Sequence, residues 1–286
     1  MKIIRLLAVI LTVLTLIFTF SGCAAEKGFP VTVGGEEITE APKTVATLSS
    51  QAASSICALG YKSYLVGAPS EFLETKMDGV TDLGPASNID FEKLYELSPD
   101  VVISPAELVY SIKENLASRK IAVVSLKTPT TYNEVAPYYE ALSKLFLGSE
   151  NYKEAYDPYI TENQRIVSDI KKSLSGVTTK VAVFVEEGFV VTGDTIAGQA
   201  LKEAGMINIA QDKSSYMMSF PDMRKANPEV IFCAKGLSEI IMEQERYAEF
   251  AAVKNAEVYE VDVEALIYYT EGFAATLQSM SKYLLN

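Results

Sequence analysis

The chain has 286 residues, 49% hydrophobic and 22% charged, with a formal net charge of −12 and no histidine. That balance is globular, and the length suits one large domain or two modest lobes. The acidity excludes nucleic-acid binding, which depends on Lys and Arg at phosphates, and the missing imidazole excludes a Ser-His-Asp triad and His-based zinc sites.

Residues 1–22 read as a signal segment. Lys2 and Arg5 precede an apolar run from Leu6 to Phe20, too short to span a bilayer, which needs roughly 20 residues. Phe20-Ser21-Gly22-Cys23 follows at once and resembles the lipobox of bacterial lipoproteins, which implies acylation at Cys23 and a lipid anchor on the membrane. Cys57 and Cys233 sit in apolar stretches and read as free thiols. Residues 23–42 read as a tether with an edge strand at Phe29–Val33.

From residue 43 to 131, short apolar strands alternate with helices. Strands are expected at Val45–Leu48, Tyr64–Val66, Val101–Ile103 and Ile121–Leu126, with helices at Ser50–Leu59, Phe91–Leu97 and Leu108–Ser118. Residues 132–176 carry only helical spacing. Gly148 ends one helix, and Ser149 caps a second run of about 26 residues, roughly 39 Å long, with Pro158 as a kink or late start. Alternation resumes over 177–286, with strands at Val181–Val185, Phe189–Val191, Ile207–Ala210, Val230–Phe232 and Val258–Val261, a helix at Thr195–Ala204 and a closing helix at Tyr268–Leu285. The expected fold is therefore α/β: two parallel-sheet lobes joined by a long rigid helix, with a ligand cleft between them.

An internal near-repeat supports two related halves. Asp90-Phe91 through Pro99-Asp100-Val101-Val102-Ile103 aligns with Ser219-Phe220 through Pro228-Glu229-Val230-Ile231-Phe232. These blocks, with Phe29–Val33 and the joint Ala58-Leu59-Gly60 to Tyr64-Leu65-Val66-Gly67, resemble the cobalamin- and siderophore-binding proteins of ABC importers. The resemblance implies a monomeric receptor that hands a metal chelate to a permease and its ATPase, with no cofactor, no resident metal and no catalytic residue. It also implies that one acid per lobe docks on the permease, at Glu92 and, beside Pro221 where the family has Glu, at Asp222. Ser54 stands where the family often has an acid, and Tyr268–Phe273 where it often has an Arg-bearing stretch.

In open parallel sheets, ligands sit beyond the carboxyl ends of the strands. That rule nominates Ser49, Ser50 and Gln51, then Ala68 and Pro69, then Ser104, Pro105 and Glu107. In the second half it nominates Glu186, Glu187, Tyr216, Met217, Lys235, Tyr268 and Tyr269. Tyrosine offers a flat apolar face and a hydroxyl to a large semi-polar chelate. These loops contain several acids and only Lys235 as a base, whereas anionic ferric chelates call for arginine forks. A corrinoid or hydroxamate siderophore is therefore expected ahead of haem. Ser168–Lys171 fits Ser-x-x-Lys but lies in a helix, and an enzyme acting on a tetrapyrrole or chelate, a haem receptor and a transporter-free adhesin are the rival classes.

Overall fold

The computed structural model describes residues 27–73 and 77–285, so Cys23 and the signal segment lie outside the described residues. It opens with β1 (Val31–Val33) paired antiparallel to β2 (Glu36–Ile38). The expected edge strand is thus half of a separate hairpin. Gly34 and Gly35 both take positive φ (55° and 80°) and close a two-residue turn, the glycine pair being the signal for it. A Cβ on Gly34 would lie 2.6 Å from the Ser125 carbonyl oxygen, which only glycine avoids.

The first sheet follows. Its chain order is β3 (Val45–Thr47), α1 (Ser50–Ala58), β4 (Leu65–Ala68), α2 (Ser70–Leu73), β5 (Thr81–Asp82), α3 (Phe91–Leu97), β6 (Val101–Ser104), α4 (Tyr110–Ser118) and β7 (Ala122–Ser125). The strands are all parallel, in spatial order β5-β4-β3-β6-β7. Every residue of β6 is buried, as a strand covered by helices on both faces requires. The order reverses between β3 and β6, and that switch point opens a crevice at their carboxyl ends.

The middle of the chain is helical. In α5 (Tyr132–Asn151), Glu134 reaches back to accept from the Thr130 and Thr131 amides at 2.8 and 3.2 Å. The helix breaks at Gly148 (φ 71°, ψ 177°), where a Cβ would lie 2.7 Å from the Gly28 carbonyl. Ser149 donates its amide and hydroxyl to that same carbonyl, at 2.9 and 3.1 Å, instead of capping the next helix. The second helical run comprises α6 (Lys153–Tyr156), a π turn at Asp157–Thr161 holding Pro158, and α7 (Glu162–Ser173), with right-handed helical backbone at each junction. Proline lacks the N–H that a regular turn needs, and the π turn absorbs the defect.

The second sheet comprises β8 (Lys180–Glu186), β9 (Phe189–Val190), α8 (Ile196–Glu203), β10 (Ile207–Asn208), α9 (Phe220–Ala226), β11 (Val230–Cys233), α10 (Leu237–Glu243), α11 (Ala251–Lys254), β12 (Val258–Glu260), α12 (Val263–Tyr268) and α13 (Phe273–Leu284). Its parallel order is β10-β8-β11-β12, with β9 folded back antiparallel on β8. Again the order reverses, between β8 and β11. The expected closing helix from Tyr268 is two helices: Tyr269 (φ 51°) and Gly272 (φ 93°) are left-handed and separate α12 from α13.

The near-repeat is a physical unit. Asp90 and Ser219 cap α3 and α9, accepting from the Lys93 and Asp222 amides at 3.1 and 3.2 Å. Ser98 and Asn227 end those helices with φ of 48° and 51°. The acid after each proline then closes the first strand of its own sheet. Asp100 accepts from the Lys43 and Thr44 amides at 2.8 and 2.9 Å, and Glu229 accepts from the Lys180 amide at 2.9 Å.

One continuous apolar cluster joins the sheets. It contains Val45, Ile103 and Val124 from the first, Val181, Val183 and Phe232 from the second, and Tyr139, Leu142, Ile170 and Leu277 from the helices. Separate clusters cover the outer faces, around Leu94 and Leu116 in the first lobe and around Phe184 and Phe250 in the second.

Asp100→Ala removes the acceptor of two amides and of the Thr44 hydroxyl. A loss of about 1 kcal/mol is expected, seen as a melting temperature lower by about 2–4 °C. Thermal unfolding of the variant checks this; an unchanged melting point would contradict the closing role.

Candidate functional site

The link between α12 and α13 of the second lobe meets α1 of the first. Ser49 caps α1 and begins the loop after β3, while Ser50 and Gln51 lie half-buried in its first turn. Gln51 Nε2 donates to the Tyr268 carbonyl at 3.4 Å, a direct link between first-lobe and second-lobe nominees. Further along α1, Ser54 and Cys57 join Lys62, Phe72 and Met77 of the first lobe and Thr270 and Glu271 of the second around a cavity of about 250 Å³. Ser54 is thus not without an acid: Glu271 supplies one across the lobe boundary. Burial, followed by smaller opposing effects of Lys62 and Glu271, raises the Cys57 thiol above its ordinary value. Cys57 and Cys233 are both free thiols. Burial pushes Cys233 up to about 12, which keeps it a thiol at neutral pH.

In the second lobe, Tyr216 and Met217 are held by residues that periodicity does not single out. Asp194 Oδ1 accepts from the Thr192 hydroxyl at 2.6 Å and Oδ2 accepts from the Ser215 amide at 3.0 Å. The Thr192 hydroxyl oxygen accepts from the Tyr216 amide at 3.1 Å, and the Tyr216 carbonyl accepts from Val190 at 2.9 Å. Ser215 and Tyr216 both have φ of 59°, a conformation that needs such ties. Burial would raise the Asp194 carboxyl, but the Thr192 and Ser215 hydrogen bonds outweigh it and leave it below its usual value. Burial, with Tyr268 next, raises the Tyr216 hydroxyl above its ordinary value. Phe189 bridges to Met217, and both are exposed, at 43% and 64%.

Two nominees are corrected. Tyr269 is 1% exposed and belongs to the core, because its ring stacks on Phe273 at 3.9 Å between centroids. Pro69 is buried behind the turn that starts α2, so its ring presents no open face. Pro105 is half-buried and Glu107 exposed at the end of β6. Glu107 pairs with Lys113 at 2.9 Å, and that bond holds its carboxyl below the usual range. Beside it, Val109 and Tyr110 are 64% and 76% exposed. Glu187 pairs with Arg246 and accepts from Gln244, so the edge is less acidic than a strand-by-strand reading implies. Arg246 reaches it from a segment far along the chain, and only folding reveals that. Lys235 lines a cavity of about 540 Å³ with Glu260, Asp262 and Glu264 at the ends of β11 and β12.

Glu92 is exposed in the first turn of α3, and Asp222 occupies the equivalent turn of α9. Asp222 also lies 3.5 Å from Lys213, and the Ser219 hydroxyl, then Lys213, hold its carboxyl below the usual value.

A family model described as periplasmic binding protein matches residues 45–265. An Fe(3+)-citrate-binding protein of Bacillus subtilis (strain 168) is 24% identical over 193 residues, 64% of this chain and 59% of the relative; that alignment thus spans under two thirds of the relative's length. An uncharacterized ABC transporter substrate-binding lipoprotein of the same organism is 23% identical over 254 residues, 82% of this chain and 79% of the relative. The crystal structure of the periplasmic vitamin B12 binding protein of Vibrio cholerae superposes with a TM-score of 0.62 at 19% identity, covering 85% of this chain and 96% of that one.

Asp194→Asn tests how the Tyr216 loop is held. The folded carboxyl lies below its reference of 3.8, so its stabilisation is present above that value and is lost as pH falls through the lower folded value. The variant should melt below wild type at about pH 6, and the gap should close toward about pH 2. A gap independent of pH in melting curves would assign the effect to packing alone.

Proposed function

Since the chain belongs to the periplasmic binding protein family, we propose that it is the extracytoplasmic substrate-binding component of an ABC importer, and that it binds an intact metal chelate between its lobes. The observation that carries this reading is the shared cavity in which Ser54 and Cys57 of α1 face Thr270 and Glu271 of the second lobe. Gln51 and Tyr268 link the lobes there, and α1 leads away from the β3/β6 switch point. The related Fe(3+)-citrate and vitamin B12 binding proteins support a chelate as cargo. The ionisable groups favour a neutral or weakly cationic one, a corrinoid or hydroxamate siderophore. Glu187 already occupies Arg246, and Lys235 stands among three acids, so a tricarboxylate would find few bases free. Exposed Tyr110, Phe189, Met217 and Tyr268 supply flat apolar contact. Haem fits less well, because its propionates call for bases. The chelate leaves unchanged, the lobes move little, and Glu92 and Asp222 meet the permease.

A binding titration of the purified protein with cyanocobalamin, ferrioxamine B, haemin and ferric citrate tests this. One of the first two should bind at 1:1 and be recovered unchanged, and Tyr268→Ala should weaken it by about 1–3 kcal/mol. Glu92→Gln with Asp222→Asn should leave that affinity intact and abolish uptake. Turnover of the probe, or normal uptake by the double variant, would overturn the respective part.

The anchor is proposed at Cys23. Mass spectrometry of the native protein should find residue 23 as an acylated N-terminus, and Cys23→Ser should release a folded protein from the membrane. An unmodified Cys23 peptide would refute it.

A further inference from the structure

The second-lobe wall of the shared cavity is a short left-handed link between α12 and α13, held in its own lobe by the Tyr269 amide on the Ala265 carbonyl and by the stack of Tyr269 on Phe273 at 3.9 Å. Tyr268 ends α12, Tyr269 turns left-handed at φ 51°, and Thr270 and Glu271 precede the left-handed Gly272. Between the two helices this segment makes the backbone bonds Thr270 to Ala265 at 3.2 Å and Phe273 to Thr270 at 3.1 Å. A non-glycine residue in the left-handed region is strained and persists only where its surroundings dictate it.

The surroundings come from the helical middle of the chain. The Tyr139 hydroxyl on α5 donates to the Tyr269 carbonyl at 2.6 Å, and the Tyr159 hydroxyl in the π turn donates to the same oxygen at 3.1 Å. The Tyr269 ring is boxed by Tyr132, Tyr139 and Tyr159, with centroids 5.9, 6.1 and 6.1 Å away. Burial raises the Tyr139 and Tyr159 hydroxyls well above their ordinary values, so both remain protonated donors. Phenylalanine would fill the same space. The hydroxyls add two directed bonds to one carbonyl, and that carbonyl sits between Tyr268, which receives Gln51, and Thr270-Glu271, which line the cavity.

We propose that Tyr139 and Tyr159 are positioning residues for ligand binding: their hydroxyls fix the Tyr268–Glu271 wall from the helices between the lobes and so hold its register with α1. This rests on the reading of the cavity as the ligand cleft. It also gives the π turn a purpose, since a helix continued regularly past Pro158 would carry Tyr159 to a different angle.

The test uses Tyr139→Phe, Tyr159→Phe and the double variant in the full chain. Hydrogen–deuterium exchange needs no ligand. In the double variant, amides of residues 265–272 should exchange about tenfold faster or more, while those of β6 and β8 keep wild-type protection. Affinity for whichever of cyanocobalamin, ferrioxamine B, haemin or ferric citrate binds the wild type should fall about tenfold, and that loss should vanish when Tyr268→Ala and Glu271→Gln are also present. Unchanged exchange over 265–272, exchange raised uniformly across the fold, or an affinity loss that simply adds to that of the wall variants would each overturn the proposal. If the double variant does not fold, the same readings on Tyr159→Phe decide. If none of the four probes binds wild type, the chelate reading fails, while the exchange result still decides whether the two hydroxyls hold the wall.

Discussion

Everything in this fold depends on one apolar cluster that both sheets share. Parallel strands are buried on two faces, so each sheet needs a helical layer on either side. Here the inner layers merge. Val45 and Ile103 of the first sheet and Val183 and Phe232 of the second reach the same cluster through Tyr139, Leu142, Ile170 and Leu277. The lobes are therefore not beads on a strap.

That constraint explains where a cleft can exist. The outer faces are covered by their own clusters, and the cavity shared by the two lobes lies between α1 and the link that joins α12 to α13. Where the backbone leaves regular structure, side chains impose its conformation. Asp194 and Thr192 hold a left-handed pair at Ser215 and Tyr216, and two tyrosine hydroxyls hold left-handed Tyr269. In both cases, side-chain hydrogen bonds fix a left-handed stretch of backbone, from exposed Asp194 in one and from the buried Tyr139 hydroxyl in the other. A buried hydroxyl is costly unless bonded, so each such group specifies one geometry.

The repeated helix–strand unit shows how the two halves reach one design with different residues. Asp and Ser cap, Ser and Asn turn left-handed, and Asp and Glu close the neighbouring strand. The requirement is an acceptor at a given place, and several side chains meet it.

The main parallel strands, the parallel class and the capped repeat were legible in the sequence, because they follow from local periodicity, caps and turn residues, whereas β2, β5, α2 and α10–α12 were not. Val101-Val102-Ile103 can hardly be anything but a buried strand. Gln51, Tyr216, Met217 and Tyr268 were nominated by the strand-end rule, and the structure places Gln51 in the first turn of α1 and Tyr268 at the end of α12. Tertiary structure alone decided the rest. It buried Tyr269 and Pro69, paired Glu187 with Arg246, and set Glu271 and Ser54 around one cavity. Each depends on residues far apart in the chain meeting at one point. Periodicity reports which face of an element is buried, but not which distant partner covers it.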